Sequence, residues 1–396
     1  CPGGAEHALA DELRALGMVG ATVEGAAVRV QIGSSSDVAR LNREIRTGSR
    51  ILIPLARFHA KTFDEVYHGA MKLPWDTMLT PEHTFMITAN SQSEALKDHR
   101  FLAMRVKDAI VDRQRKHSGG RRSSVDKKQP HLIVNVFAAD TTVEIALDST
   151  GVPLHQRGYR VEAGDAPLRE TVAAMMVLES GYRPGDQRLF LDPFCGSGTL
   201  VIEAALLHAR RGPGTLGRSF AWQRWPWVSG ENDAPNGKGD AAVERGARHS
   251  TAAAALRGTP ESPLRIGTDN DPRVIQIARR NAERAGVTDL VRFEVADMEQ
   301  SIRHWTSNGS GVIVANPPYG VRLQPEDLSV LYSNLGKALR EYAGGWEVTI
   351  IAADTQQVRR TGLRPAERHT VFNGALACEI QRYRVYQQKE ARSGKE

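Results

Sequence analysis

The stretch that most constrains the fold is residues 189–199, which read Leu-Phe-Leu-Asp-Pro-Phe-Cys-Gly-Ser-Gly-Thr. The first three residues are apolar and predict the end of a buried parallel strand, whereas residues 199–209 predict a helix. Gly196 and Gly198 lie in the turn between them, where the missing Cβ lets the backbone approach a ligand. The sequence therefore predicts an open, mostly parallel α/β sheet with a ligand at this turn.

The turn differs from a dinucleotide-binding loop in two positions. Val201 stands where the third glycine would be, and Asp192 ends the strand, where its charge would oppose a pyrophosphate. A carboxylate suits a cationic ligand, and S-adenosylmethionine carries an ammonium and a sulfonium but no phosphate. We therefore expect S-adenosylmethionine, and not NAD, to bind Asp192 and the turn residues Phe194, Cys195, Gly196, Ser197, Gly198 and Thr199.

Two later strand ends carry further candidate cofactor ligands. Asp269, followed by Asn270, ends the next predicted strand and is placed to accept hydrogen bonds from both ribose hydroxyls. Asp297 follows the predicted strand 291–295 and could accept from the adenine amino group while Met298 packs on the ring. Each acid alone could be a capping or turn residue, but their spacing across consecutive βα units favours cofactor binding.

A second loop, Asn316-Pro317-Pro318-Tyr319, follows the apolar strand 311–315 and so ends at the same edge of the sheet. The exocyclic amine of a base is a poor nucleophile because its lone pair is delocalised. The oxygen of Asn316 and the carbonyl of Pro317 could accept its two hydrogens, with successive prolines stiffening the loop. Tyr319 offers a face for an extruded base. We predict Asn316, Pro317 and Tyr319 as the catalytic residues.

Together these two loops resemble those of the class I methyltransferases that modify an exocyclic amine of a base. The resemblance implies a Rossmann-like domain over residues 166–386, with a mostly parallel seven-stranded sheet that ends in an antiparallel hairpin around Asn373-Gly374. An insertion at about 211–262 interrupts this domain, and the polar tail 387–396 is expected to be disordered.

The front of the chain has the mixed pattern of α+β domains. Residues 1–45 resemble the ferredoxin-like domain that precedes a THUMP domain in certain RNA methyltransferases, residues 46–148 resemble the RNA-binding THUMP domain, and residues 149–165 link to the catalytic domain. The whole pattern is most similar to bacterial enzymes that make N2-methylguanine in large-subunit ribosomal RNA, which implies RNA as the partner.

A basic cluster lies at the end of a predicted long helix and in the loop after it, and consists of Arg113, Arg115, Lys116, Arg121, Arg122, Lys127 and Lys128. Beside a base-modifying domain we predict that it contacts RNA, a solvated surface being the alternative.

Two further stretches allow two interpretations each. The tryptophan segment, residues 220–227 (Phe-Ala-Trp-Gln-Arg-Trp-Pro-Trp), predicts a hydrophobic clasp that pins the insertion onto the sheet, with base stacking as the alternative. Tyr159 and Arg160 in the linker either line the substrate cleft or brace the two halves of the chain.

Composition narrows the remaining choices. The chain has 396 residues, a net charge of +6 that weakly favours a polyanionic partner, and three cysteines, too few for a disulfide framework or a zinc site. No apolar run reaches the length of a membrane span, so we expect a cytoplasmic protein that uses neither membrane nor metal.

We therefore predict a S-adenosylmethionine-dependent RNA guanine-N2 methyltransferase. The alternatives are a tRNA guanine-N2 enzyme, a DNA amino-methyltransferase and a non-catalytic RNA-binding assembly factor.

Overall fold

A computed structural model describes residues 1–160, 168–228, 265–307, 309–318 and 325–386. The expectations for Tyr319, for most of the insertion and for the tail 387–396 lie outside these ranges.

The front half contains two small α+β units. The elements of the first are α1 (Glu6–Ala15), β1 (Thr22–Glu24), β2 (Ala27–Arg29) and α2 (Ser35–Glu44). The elements of the second are β3 (Leu52–His59), α3 (Phe63–Met71), α4 (Trp75–Met78), β4 (Thr84–Ser91), α5 (His99–His117), β5 (Ser124–Val125), β6 (Leu132–Ala139) and β7 (Thr142–Asp148).

The second half is an α/β domain. Its elements are α6 (Glu170–Glu179), β8 (Leu189–Asp192), α7 (Thr199–His208), β9 (Arg265–Asp269), α8 (Pro272–Ala285), β10 (Arg292–Val295), α9 (Met298–Thr306), β11 (Gly311–Ala315), α10 (Pro325–Tyr342), β12 (Glu347–Ala352), α11 (Thr355–Arg359), β13 (Glu367–Asn373) and β14 (Leu376–Arg384). Three short 3₁₀ turns connect them, Pro213–Thr215, Ala221–Arg224 and Thr288–Leu290.

The catalytic sheet has the strand order β10-β9-β8-β11-β12-β14-β13. The first five strands are parallel, and β14 runs antiparallel to both β12 and β13. This confirms the expected mostly parallel seven-stranded sheet with a terminal hairpin. The chain builds outward from β8 in one direction and then from β11 in the other, so the topological switch point lies between β8 and β11. Ligands of open α/β sheets bind at such a point, outside the carboxyl ends of the strands.

The sheet of the second front unit has the order β3-β7-β6-β4-β5, with β4 parallel to β6 and α5 as the connection between them. Strand β4 was not predicted, because its sequence Thr-Phe-Met-Ile-Thr-Ala-Asn-Ser lacks a clean alternation of apolar and polar residues. The basic stretch after α5 was predicted as a loop throughout, yet it contains the short edge strand β5.

The start of α2 differs from the sequence prediction. We expected Asp37 to cap this helix, but Ser34 is the capping residue and Asp37 lies in the first turn. The carboxylate of Asp37 accepts a hydrogen bond from the backbone N–H of Ser34 at 3.2 Å. The pair forms a capping box, in which an acid three residues into the helix satisfies a donor at its start.

A buried polar network joins the two halves. The Arg157 guanidinium lies 3.3 Å from Glu203 of α7, and the hydroxyl of Tyr159 donates to the same carboxylate oxygen at 3.1 Å. Arg46 enters from the front half and donates to the carbonyls of Leu206 and Arg211. Tyr159 is therefore a brace between the halves and does not line a cleft, which resolves its two interpretations.

The tryptophan segment is a clasp, but it does not pin the insertion onto the catalytic sheet as we predicted. The rings of Trp222 and Trp225 are buried in one core with the front half. The backbone N–H of Trp222 donates to the carbonyl of Ser149 at 3.0 Å. The reason is positional: the chain leaves α7 beside the front half, so that surface is the nearer apolar one to cover.

The beginning of the described chain packs on the edge of the catalytic sheet. The carbonyl of Gly3 accepts a hydrogen bond from the backbone N–H of Phe372 in β13 at 2.9 Å. Gly4 has a φ of +85°, and a Cβ there would lie 2.0 Å from the carbonyl oxygen of Thr370. Only glycine allows this close approach of two backbones.

Candidate active site

The four residues that the sequence places at strand ends come together at one edge of the catalytic sheet. Asp192 ends β8, Asp269 ends β9, and Asp297 follows β10 by two residues. Asn316 directly follows β11, on the other side of the switch point. Because these four strands are parallel neighbours, their carboxyl ends share one edge.

The turn between β8 and α7 is held against the sheet by its glycines. Gly198 has a φ of +86°, and a Cβ on it would lie 2.9 Å from the Phe293 ring. Gly196 has a φ of +49°, but a Cβ on it would meet no atom within 4 Å. One glycine therefore permits close packing below the turn, and the other faces open space where a ligand can reach the backbone.

Asp192 is buried with a single printed protein donor, the backbone N–H of Phe194 at 3.0 Å. Burial raises the pKa of Asp192 well above its usual value, and the nearby charge of Asp269 raises it further. A carboxylate in this position is stabilised by a cation, because a nearby positive charge favours the ionised form. The site is thus matched to a positively charged ligand group.

Asp269 ties two loops together. One carboxylate oxygen accepts from the backbone N–H of Gly196 and the other from that of Asp271, each at 3.0 Å. A carboxylate has about four acceptor positions, so two remain for a ligand. The same residue can therefore hold the glycine turn in place and accept from hydroxyl groups.

Asp297 is exposed and caps α9, where it accepts from the backbone N–H of Gln300 at 2.9 Å. Met298 beside it is buried. Asn270 is exposed, and its neighbour Asp271 caps α8 ahead of Pro272. Capping and ligand binding use different lone pairs of the Asp297 carboxylate, so the two roles are compatible.

The side-chain oxygen of Asn316 is the most informative atom of the site. It is buried, and it has no hydrogen-bond partner in the part of the chain that the structure describes. A buried polar atom without a partner is costly, and in native proteins such an atom calls for an explanation. Tyr332 of α10 donates to the carbonyl of Pro318 at 3.5 Å and so fixes the backbone of this loop. The arrangement presents a preformed acceptor to an incoming N–H donor.

Two positioning residues were missed in the sequence. Asn281 donates to the carbonyl of Ser197 at 3.0 Å and supports the glycine turn from α8. It lies among buried apolar residues at helical spacing, and a polar residue on such a face was the available signal. Arg160 bonds the hydroxyl of Thr199 at 3.3 Å and Glu170 at 2.9 Å, which connects the linker to the cofactor turn.

The basic cluster divides into paired and unpaired cations. Arg113 is half-buried, bonded to Asp76 and to the carbonyl of Met71, so its charge is used inside the protein. Two exposed members have acidic neighbours, Arg115 with Asp112 and Arg121 with Glu82. The other members are exposed and have no acidic partner among the described residues; they are Lys116, Arg122, Lys127 and Lys128.

Two searches of the described ranges concern other kinds of site. No group of three or more His, Cys, Asp or Glu side chains there could hold a metal ion. None of the helices in these ranges combines the length and apolar character needed to cross a bilayer.

Three family models match the chain. Residues 157–382 match the model described as RMKL-like, methyltransferase domain. Residues 60–148 match the THUMP domain, and residues 1–52 match the RlmL ferredoxin-like domain.

Similar proteins include enzymes of ribosomal RNA. The chain is 35% identical over 393 residues to the ribosomal RNA large subunit methyltransferase K/L of Syntrophotalea carbinolica, covering 98% of this chain and 53% of that protein. It therefore spans about half the length of the K/L relatives that it matches. It is also 34% identical to the Synechocystis protein slr0064, whose name provisionally describes an RNA methyltransferase, covering 97% of this chain and 95% of that one.

A solved structure has the same architecture over nearly the full length. SMU.472, crystallised in complex with SAH, has a TM-score of 0.81 and 28% identity, covering 98% of this chain and 97% of that chain.

Proposed function

The chain belongs to the RMKL-like methyltransferase family, and from that membership we propose that it transfers a methyl group from S-adenosylmethionine to the exocyclic N2 of a guanine in large-subunit ribosomal RNA. The observation that carries the chemistry is the buried, unpartnered oxygen of Asn316 beside the switch point. The choice of RNA is supported by the relatives named for ribosomal RNA and by the THUMP domain. Such a substrate is cytoplasmic, and we place the protein there.

The residues of the site fit the cofactor. Asp192 supplies a buried negative charge for a cationic group, and Gly196 leaves open space above its backbone. Asp269 and Asp297 keep free acceptor positions for the ribose and the adenine amino group, with Met298 beside the ring. When bound, S-adenosylmethionine supplies an electrophilic methyl group on sulfur.

The chain's own part in the reaction is to orient the target amine. The Asn316 oxygen accepts one N–H and the carbonyl of Pro317 the other, which directs the nitrogen lone pair toward the cofactor side of the switch point. Both acceptors are held before the substrate arrives, since Pro317 and Pro318 restrict the backbone and Tyr332 anchors the loop. No strong base is needed, because the extra proton can leave after transfer. Tyr319 would supply a stacking face for the flipped base.

The test is transfer of labelled methyl to unmodified RNA, followed by digestion to nucleosides. We expect N2-methylguanosine in a large-subunit ribosomal RNA transcript and none in tRNA or in double-stranded DNA. Label in tRNA alone would support the tRNA enzyme, and label in DNA would support the amino-methyltransferase of DNA. Binding of ribosomal RNA without transfer to any of the three would favour the assembly factor.

The cofactor assignment gives a second prediction, for Asp269→Ala. The variant loses acceptors for the ribose hydroxyls and the support of the glycine turn, so we expect S-adenosylhomocysteine to bind about 10- to 100-fold more weakly, as for a lost hydrogen bond to a charged group. Calorimetry measures this. Asp271→Ala is the matched control, because it removes a carboxylate two residues away that caps α8 and pairs with Arg273. Equal affinities in the two variants would contradict the assignment.

A further inference from the structure

The three tryptophans of the tryptophan segment have different environments. Trp222 and Trp225 are 4% and 8% exposed, whereas Trp227 is 48% exposed. The rings of Trp225 and Trp227 lie with centroids 5.3 Å apart and planes inclined by 40°. Trp227 therefore rests on a buried partner that holds its position, and half of a large apolar surface faces water. A fixed, exposed aromatic ring is an economical binding element, since little freedom is lost when a ligand covers it.

The tryptophan segment is attached next to the basic cluster. Arg224 donates from Nε to the carbonyl of Pro130 at 2.9 Å. Pro130 ends the loop that carries Lys127 and Lys128, both exposed. Burial lowers the pKa of the neighbouring His131, and the positive charge of Arg224 lowers it further, which indicates how close the two groups lie.

The only acid that the electrostatics place beside Arg224 is engaged by the protein, as far as the described residues show. Asp126 accepts from the backbone N–H of Lys128 at 2.7 Å and of Gln129 at 3.2 Å, and these bonds lower its pKa. Its carboxylate shapes the turn that presents Lys127 and Lys128 outward. The surface beside Trp227 is thus a stacking face bordered by unpaired cations.

We propose that Trp227 stacks on an unpaired base of the RNA substrate, while Lys127 and Lys128 contact phosphates of the same strand. An aromatic face next to a basic groove is the common arrangement for binding single-stranded nucleic acid, because every base has a π-face and every nucleotide a phosphate. The segment that carries the ring belongs to the catalytic half, whereas the cations belong to the front half. RNA therefore bridges the two. This proposal rests on the proposed function, since it takes RNA to be the substrate.

The experiment measures binding of a fluorescent single-stranded oligoadenylate and of an RNA duplex of equal length, over a range of salt concentrations. Trp227→Ala should weaken binding of the single strand by about 5- to 150-fold, as for the loss of one stacked base. The salt dependence should stay the same, because no charge is removed, and the duplex should bind as before. Trp227→Phe should restore most of the affinity.

Two other variants serve as comparisons. The double variant Lys127→Ala, Lys128→Ala should reduce the log–log salt slope by about 0.7 per lost phosphate contact, for both RNAs if each cation contacts a phosphate in each. Tyr386→Ala removes another exposed ring, 78% exposed, outside the proposed surface and should change nothing.

The outcomes separate this proposal from the proposed function. If the unmutated protein methylates ribosomal RNA but Trp227→Ala binds oligoadenylate as tightly as it does, stacking is refuted and the function stands. Weaker binding by Trp227→Ala of single strand and duplex alike would also overturn stacking and point to a local structural role. If the unmutated protein binds neither RNA, both proposals fall.

Discussion

Asn316→Ala is expected to slow methyl transfer by roughly 100-fold, about 3 kcal/mol in the activation free energy. The substitution removes the buried acceptor that has no partner among the described residues. Its contribution arises chiefly in the transition state, when the lone pair of the target nitrogen must be directed at the methyl group. Single-turnover transfer to unmodified ribosomal RNA, with the RNA and S-adenosylmethionine saturating, measures the step without product release.

Binding of both ligands should survive this substitution. Asp192 and Asp269 are untouched, so S-adenosylhomocysteine should bind with unchanged affinity. RNA affinity depends mostly on phosphate contacts made elsewhere on the surface. Asn316→Asp is the matched control, because it keeps an acceptor oxygen at the same place and should lose less activity than the alanine variant. Undiminished transfer by Asn316→Ala would locate the chemistry at another residue.

Glu203→Ala is expected to destabilise the protein by about 3–5 kcal/mol, the usual effect of removing one partner of a buried ion pair. Arg157 is 1% exposed, and its guanidinium would then remain buried without its counter-charge. Arg46 would lose favourable charge as well, since burial lowers its pKa and Glu203 is the first of the groups that oppose this shift. Denaturant unfolding followed by tryptophan fluorescence measures the free energy of unfolding.

A surface pair provides the comparison. Glu367 pairs with Arg382 on the antiparallel hairpin, where both side chains are largely accessible. Glu367→Ala should cost no more than about 1 kcal/mol, because exposed ion pairs contribute little. Glu203→Gln keeps an acceptor for Tyr159 but not the charge, and should lie between the two. If Glu203→Ala were as stable as Glu367→Ala, the buried network would not hold the halves together.

The catalytic fold could be predicted because its evidence is local. Each of the strand ends at Asp192, Asp269 and Asn316 follows a short apolar run, and parallel strands bring such ends to one edge. The assignment of these residues to cofactor and substrate stays a prediction, although Asp269 has a structural duty that no local pattern reveals. Its bond to Gly196 joins residues 73 positions apart.

The errors came from contacts between distant segments. The tryptophan segment shows an apolar surface in its sequence, but the side that it covers depends on where the chain leaves α7. Arg113 belongs to a run of positive charges, and only the placement of Asp76 beside it shows that it is used internally. Composition gives the number of charges in such a run and does not distinguish those that face solvent from those that are already paired.

The shared core under the tryptophan segment has a consequence for the independence of the parts. In sequence the chain divides near residue 148, and the family models divide it in the same region. In space Trp222 and Trp225 of the catalytic half complete the core of the front half, and Arg46 of the front half penetrates the catalytic half. A catalytic half produced alone would expose two indole rings to water. The two halves are therefore inherited and exchanged as one unit: a different RNA-binding front could replace this one only if it brought a matching cavity for those rings.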